Sequence, residues 1–398
     1  MKYFGTDGFR GRANEGLDVE HAFKIGRFVG WYYGARQGRK ARVIIGKDTR
    51  RSSYMFESAL VAGLVASGAD AYMLHVIPTP GVCYEVVDGG FDCGVMITAS
   101  HNPYSDNGIK LVNSEGYKMD EAVLQQVEDY IDGKSEVPLA HGDAIGCTVD
   151  YMQGRNRYIS HLIASCGFSL QGLKIGLDCA NGSASSVARP VFDALGAETH
   201  VINNAPNGFN INVDCGSTHL DQLQRFVVQN GLDVGFAYDG DADRCLAVDE
   251  RGHVVDGDLL LYVCGTYLNK HGRLGGEQSG HIIFGDLEKT GDGIMTSLRV
   301  MEVLRSEREK LSELCRPVTL YPQQLVNVHV TDKDAAMASE AVTAAVEEAE
   351  RFLEGNGRVL VRASGTEPLV RVLAEAPEES LCTQANQIVI DALEPYRA

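Results

Sequence analysis

The sequence has no C-x-x-C pair. Its ten cysteines are scattered from Cys83 to Cys382, which argues against a zinc site and against a disulfide framework. They read as small buried hydrophobes in a reducing compartment. Long apolar runs are also missing. The longest, LLLYVC at Leu259–Cys264, is far too short to span a bilayer. The N-terminal MKYFGTDGFRG has no apolar core of the kind a signal peptide needs, so a cytoplasmic location is expected. Basic residues are in deficit: 36 Lys and Arg against 54 Asp and Glu, a formal net charge of −18. Nucleic acid and anionic membranes are therefore not expected as partners. An anionic small substrate stays open, provided a local Arg or Lys cluster overcomes the overall field. No low-complexity linker breaks the chain.

A hydrophobic content of 44% with 23% charged residues is that of a globular protein with sizeable cores. A chain of 398 residues suggests two to four domains. Two segments share a pattern. ARVIIGKDTR (41–50) is an apolar strand ending in a polar turn. A helix follows, with Phe56, Leu60 and Leu64 on one face, then a strand over 69–77. LKIGLDCANG (173–182) repeats this, with a helix over 187–195 and a strand over 198–203. Strand–helix–strand units imply parallel sheets with ligands at the strand ends. A third unit begins with a helical DGDLLLYVCGTYL (256–268) and then runs at once into glycines. The last segment reads as a small α+β domain, with a helix over 335–353 and two final strands joined by a polar loop.

Several polar constellations sit in these turns. DGDADR places Asp239, Asp241 and Asp243 between two apolar strands. Three carboxylates this close repel unless a cation binds among them, and a hard ion such as Mg²⁺ suits oxygen ligands. An EF-hand does not fit, because Arg244 stands where that loop needs glycine and the flanks read as strands. VRASGTEPLVR gathers Arg362, Ser364, Thr366 and Arg371 around Gly365, a donor set suited to phosphate or an ordinary hairpin loop. GGEQSGHII alternates Glu277, Ser279 and His281 in what reads as an extended segment. A carboxylate, a hydroxyl and an imidazole suit sugar hydroxyls or an amine. In TASHNP, Ser100 precedes His101. This is not a hydrolase elbow. A serine near a metal turn and a phosphate loop suggests a carrier of a phosphoryl group, with Lys110 and Arg10 as basic partners.

TASHNP, DGDADR, GEQSGH and RASGTEP, in this order after an initial GTDGFRG, resemble the α-D-phosphohexomutase family over nearly the whole chain. The resemblance implies three related α/β domains, the third truncated here, plus a C-terminal α+β domain around a central cleft. The expected bounds are 1–150, 151–253, 254–317 and 318–398. It implies Ser100 as the phosphorylated nucleophile and as a metal ligand through its phosphate, with Asp239, Asp241 and Asp243 completing a Mg²⁺ site. Arg10, Lys110, His101 and His281 would assist the chemistry. Glu277 and Ser279 would bind the sugar. Arg362, Ser364, Gly365, Thr366 and Arg371 would hold the phosphate that is not reacting. The implied reaction interconverts glucosamine 6-phosphate and glucosamine 1-phosphate through a bisphosphate, with sugar bisphosphate as activator. The expected partners are a phosphosugar, a kinase or bisphosphate donor for Ser100, and a second copy of the chain in a homodimer.

The chain departs from the family's pattern in the third domain. The family has a strand–helix–strand between the 256–268 helix and GEQSGH; here only residues 269–275 intervene. The missing unit leaves sheet edges to be covered or re-paired. It also keeps two alternatives open: a mutase for glucose or mannose phosphates, and a phosphosugar-binding protein with impaired turnover.

Overall fold

The computed structural model describes residues 1–267, 273–364 and 367–398. The chain forms two compact units, Met1–Arg316 and Pro317–Ala398. The first unit opens with β1 (Phe4–Gly5), β2 (Gly8–Arg12), α1 (Val19–Gln37), β3 (Arg42–Lys47), α2 (Arg51–Ala66), β4 (Asp70–Val76), α3 (Thr79–Asp88), β5 (Cys93–Ile97), β6 (Asp106–Asn113), α4 (Glu121–Ile131) and β7 (Thr148–Asp150). Among the described residues these strands form a seven-stranded sheet in the order β1-β2-β6-β5-β3-β4-β7. β3 lies parallel to β4 and β5, as the strand–helix–strand pattern predicts. β6 pairs antiparallel with both β5 and β2. The sheet is thus mixed, because the short turn after β5 can join only antiparallel neighbours. Phe56, Leu60 and Leu64 of α2 are fully buried against it, and each contributes about 1.5–3 kcal/mol.

Next come α5 (Met152–Ala164), β8 (Lys174–Asp178), α6 (Ala188–Ala194), β9 (Glu198–Ile202), α7 (Asp221–Asn230), β10 (Val234–Tyr238), β11 (Cys245–Asp249) and β12 (Val254–Val255). Their sheet runs β12-β11-β10-β8-β9. β8 is parallel to β9 and β10. β10 and β11 form an antiparallel pair, and DGDADR is the turn between them.

The third region holds α8 (Gly257–Tyr267), β13 (Leu274–Gly276), β14 (Ile282–Phe284), α9 (Gly293–Glu307) and α10 (Leu311–Cys315). Among the described residues its sheet has two antiparallel strands. Such a hairpin is marginal alone; here β13 contacts α8 and β14 contacts α9, helices whose Leu260, Val263, Ile294 and Leu298 are buried. GEQSGH is not the extended segment the alternation suggests. It forms the hairpin turn, where Gly280 takes φ +89° and its α-carbon faces the Cys245 carbonyl so closely that a Cβ would stand 2.2 Å from that oxygen.

The second unit holds β15 (Gln323–His329), α11 (Lys333–Met337), α12 (Glu340–Phe352), β16 (Arg358–Ala363), β17 (Leu369–Glu375) and α13 (Glu379–Leu393). The sheet is antiparallel, in the order β15-β17-β16. Two expectations change. The helix over 335–353 is broken, because Ser339 takes extended backbone and starts α12. The chain ends in a helix, not in strands: Cys382, Ala385, Val389 and Leu393 recur at helical spacing and are buried.

Candidate active site

Ser100 lies in the turn from β5 to β6, on a left-handed backbone with φ +52°. That conformation is uncommon for a residue with a side chain and marks a turn held by its surroundings. The residue is 1% exposed. Its N–H donates to Thr98 Oγ1 at 2.9 Å. Its hydroxyl donates to Asp239 Oδ2 at 2.5 Å and lies 3.3 Å from His101 Nδ1.

The hairpin turn buries all three aspartates. Asp239, Asp241 and Asp243 each offer an oxygen within 4.8 Å of the others. Lys110 Nζ donates to Asp241 Oδ2 at 2.7 Å and to Asp243 Oδ2 at 3.1 Å. The lysine expected to serve Ser100 thus sits on the carboxylates. Thr79, at the start of α3, donates its hydroxyl to the same Asp241 Oδ2, and its N–H donates to the Asp241 carbonyl at 2.9 Å. The side chains of Lys110 and Thr79 together hold one carboxylate oxygen of Asp241. The second oxygens, Asp241 Oδ1 and Asp243 Oδ1, are buried without a hydrogen-bond partner. Buried acceptors without donors are costly, and a hard cation satisfies them. The donor set therefore fits Mg²⁺.

Burial, then the charges of Asp243 and Asp241, push the Asp239 carboxyl well above its usual range. Burial acts the same way on Asp243, but Lys110, His281 and Arg244 outweigh it and hold that carboxyl well below. Burial works against the Lys110 charge, and Asp241 and Asp243 overcome it, so its pKa is raised. His101 is lowered by burial and by the cations Arg244 and Arg10.

The sugar-site candidates lie beside the triad. His281 Nε2 accepts the Gly291 N–H at 3.2 Å, which leaves the proton on Nδ1, 3.8 Å from Asp243 Oδ1. Glu277 accepts the Ser279 hydroxyl and pairs with Arg244 at 3.8 Å. Arg244 also donates its N–H to Asp239 Oδ1 at 3.2 Å, so it bridges the triad and the sugar turn. Arg10, on β2, pairs with Asp7 at 3.6 Å. The buried Nε atoms of Arg10 and Arg244 have no hydrogen-bond partner, as donors awaiting an anion would. A cavity of about 660 Å³ opens here, lined by Lys110, Lys118, Lys289, Asp243 and His281.

In the second unit, Arg362 and Arg371 stand directly opposite each other on β16 and β17. Like charges so placed repel, and an anion between them relieves the repulsion. Arg371 pairs with Glu367 at 3.6 Å, and its Nε is buried without a partner. Ser364 is buried; its Oγ accepts the Glu367 N–H at 3.3 Å. Gly365 and Thr366 lie outside the described residues.

Thr79, Arg50, Asn212 and the role of Arg244 were not apparent in the sequence. Arg50 and Thr79 follow β3 and β4 directly, and strand ends are where such sheets bind ligands; that position was the available signal.

Family models of the phosphoglucomutase/phosphomannomutase domains match in order: α/β/α domain I at residues 1–138, domain II at 156–252, domain III at 256–321 and the C-terminal domain at 325–392. The chain belongs to the phosphoglucomutase/phosphomannomutase family. It is a phosphosugar mutase, an isomerase that relocates a phosphoryl group. It is 53% identical to a phosphoglucosamine mutase of Lachnoclostridium phytofermentans, with 98% of this chain and 97% of the relative covered. It is 43% identical to that of Geobacillus thermodenitrificans, with 98% of each covered. The first alignment runs over 438 positions, more than the 398 residues present, so part of the relative has no counterpart here. Among solved structures, a phosphoglucomutase/phosphomannomutase family protein of Burkholderia thailandensis superposes with a TM-score of 0.79 at 22% identity, covering 99% of this chain and 97% of that one. An Aspergillus fumigatus N-acetylphosphoglucosamine mutase in complex with GlcNAc-6P and magnesium gives a TM-score of 0.66 at 18% identity, covering 98% and 95%. These two likenesses concern the family fold. No described helix is long and apolar enough to cross a membrane.

Proposed function

We propose that this mutase interconverts glucosamine 6-phosphate and glucosamine 1-phosphate through a phosphoserine at Ser100. The observation that carries the mechanism is the Ser100 hydroxyl 2.5 Å from a buried aspartate triad. The names of the relatives at 53% and 43% identity support the sugar.

In the forward half-reaction, the bond between phosphorus and Ser100 Oγ breaks. A bond forms from phosphorus to the free hydroxyl oxygen of the sugar phosphate. The hydroxyl proton passes to His101, whose pKa is lowered by burial and by Arg244 and Arg10, and from there to Ser100 Oγ. The bisphosphate turns over, and the reverse step returns its other phosphoryl group to Ser100. Arg10 and Lys110 stabilise the transferring charge, and His281 assists from the Asp243 side. Asp239, Asp241, Asp243 and the Ser100 phosphate would hold Mg²⁺, which supplies charge neutralisation when bound. Glu277 and Ser279 face the sugar's amine and hydroxyls. Arg362, Ser364, Gly365, Thr366 and Arg371 hold the idle phosphate.

We further propose domain bounds at 1–150, 151–253, 254–317 and 318–398, a cytoplasmic location, a homodimer, and a sugar bisphosphate or a kinase as the source of the first phosphoryl group. The test is a mutase assay with Mg²⁺ and trace sugar bisphosphate, read by phosphorus NMR, on glucosamine, glucose and mannose 6-phosphates. Preferred turnover of the glucosamine compound is expected. Preferred turnover of another sugar would reassign the substrate. Binding without product would mean that the two-stranded third domain no longer supports turnover.

A further inference from the structure

The backbone around Ser100 is gripped from two domains. Arg50 is fully buried and spends all five of its N–H donors. Nε donates to Asp48 Oδ2 at 2.8 Å. Nη1 donates to the carbonyls of Asn102 at 2.9 Å and Pro103 at 2.7 Å. Nη2 donates to the carbonyls of Ser100 at 2.8 Å and Asn102 at 3.0 Å. Asp48 Oδ2 also accepts the Thr98 hydroxyl at 2.7 Å, and Thr98 Oγ1 in turn accepts the Ser100 N–H. Both backbone polar groups of Ser100 are therefore tied to the Asp48–Arg50 pair.

The second grip comes from the domain that carries the aspartates. Asn212 Nδ2 donates to the Ser100 carbonyl at 2.8 Å and to the Asn102 carbonyl at 3.1 Å. Asn212 is buried and left-handed, with φ +59°, and its N–H is anchored to the Ala180 carbonyl at 3.0 Å. Gly240, next to Asp239, completes the contact. A Cβ there would stand 2.5 Å from the Ser100 carbonyl oxygen and 3.0 Å from Asn212 Nδ2. The nucleophile turn, Asn212 and the aspartate turn thus meet at one carbonyl.

We propose that Asn212, acting with Arg50, is the positioning residue that sets the register of the Ser100 hydroxyl against Asp239 across the boundary between the first two domains. Arg50 fixes the shape of the turn within its own domain; Asn212 fixes where that turn stands relative to the carboxylates. Phosphoryl transfer depends on this register, since a misplacement of about 1 Å costs on the order of a hundredfold in rate. The inference rests on Ser100 being the phosphoryl carrier.

The test is single-turnover transfer. Protein phosphorylated on Ser100 by glucose 1,6-bisphosphate is mixed rapidly with glucosamine 6-phosphate, and loss of phosphoserine is followed for wild type, Asn212→Gly, Asn212→Asp and Arg50→Lys. Asn212→Gly keeps the left-handed backbone and removes the donors. Asn212→Asp keeps the shape and also removes them. Arg50→Lys keeps the charge beside Asp48 and breaks the fork. The expected result is a rate constant lowered roughly ten- to a hundredfold, at full amplitude, with KM for the sugar phosphate little changed. A merely structural role would lower the amplitude, the fraction of competent protein, and leave the rate constant alone. That outcome, or wild-type rates in both Asn212 variants, overturns the proposal. A wild-type protein that never transfers from Ser100 fails earlier, and the carrier assignment falls with it.

Discussion

Ser100 and Asp239, 139 residues apart in sequence, meet with the serine hydroxyl 2.5 Å from Asp239 Oδ2. Burial and the neighbouring aspartates raise the Asp239 carboxyl, so the hydroxyl faces a group whose charge calls for a cation. A phosphoryl group on Ser100 would stand in the same place, among Lys110, Arg10 and the triad. Ser100→Ala is expected to abolish mutase turnover while lowering stability by only about 1 kcal/mol, the worth of one hydrogen bond. The assay is run beside a thermal melt. Retained turnover in a folded variant would contradict the assignment.

Thr79 fixes one oxygen of Asp241 and so leaves the other for a metal. Groups that orient metal ligands are typically worth about 10–100-fold in affinity. Thr79→Val is expected to raise the Mg²⁺ concentration for half-maximal activity by that factor, and Thr79→Ser to restore it. A Mg²⁺ titration of activity decides this.

Glu277 is the carboxylate proposed to bind the sugar, and Arg244 lies 3.8 Å from it. Hydrogen bonds to charged groups are worth about 1.5–3 kcal/mol. Glu277→Gln is expected to raise KM for glucosamine 6-phosphate by about tenfold or more and to change that for glucose 6-phosphate much less. Equal changes for both sugars would remove Glu277 from amine recognition.

The facing pair Arg362 and Arg371 carries repulsion that an anion relieves. Arg362→Gln is expected to weaken binding of both phosphosugars, seen by calorimetry, without loss of thermal stability and with a gain of up to about 1 kcal/mol. Reduced stability with unchanged binding would mark the pair as structural.

Glu85 offers a pH test away from the site. Its side chain is fully buried, and neither carboxylate oxygen has a hydrogen-bond partner. Arg157 lies 3.7 Å away. Burial pushes its pKa up to about 7, with Arg157 opposing. A carboxyl raised in the folded state favours folding at low pH, and this contribution is lost as pH rises from about 4.5 through 7. Glu85→Gln is therefore expected to stabilise the protein at pH 8 by on the order of 1 kcal/mol, after allowance for Arg157 and solvent screening. The difference should vanish near pH 4. Chemical denaturation at the two pH values measures it.

What could be read from sequence follows the range of the interactions. The aspartate turn is written in six consecutive residues between two apolar strands, and the structure holds it as that hairpin. The strands and helix around Phe56, Leu60 and Leu64 were legible because each obeys a local period. The shortness of the third region was legible as a missing strand–helix–strand, and among the described residues its sheet has two strands. The antiparallel pairing of β6 was not legible, since periodicity says nothing of direction. The GEQSGH turn was misread because alternation in polar residues does not distinguish a strand from a hairpin tip built on Gly280. Arg50, Thr79 and Asn212 escaped notice because their partners lie 50 to 162 residues away, and no spacing rule reaches that far.

The most direct measurement is the phosphorylation state of Ser100 by peptide mass spectrometry. The protein is treated with glucose 1,6-bisphosphate and Mg²⁺, freed of excess reagent, and then given glucosamine 6-phosphate. Phosphate on the Ser100 peptide that disappears on addition of the sugar phosphate, with bisphosphate released, is the predicted result. Phosphate that never appears on Ser100, or that stays there in the presence of the sugar phosphate, would contradict the account.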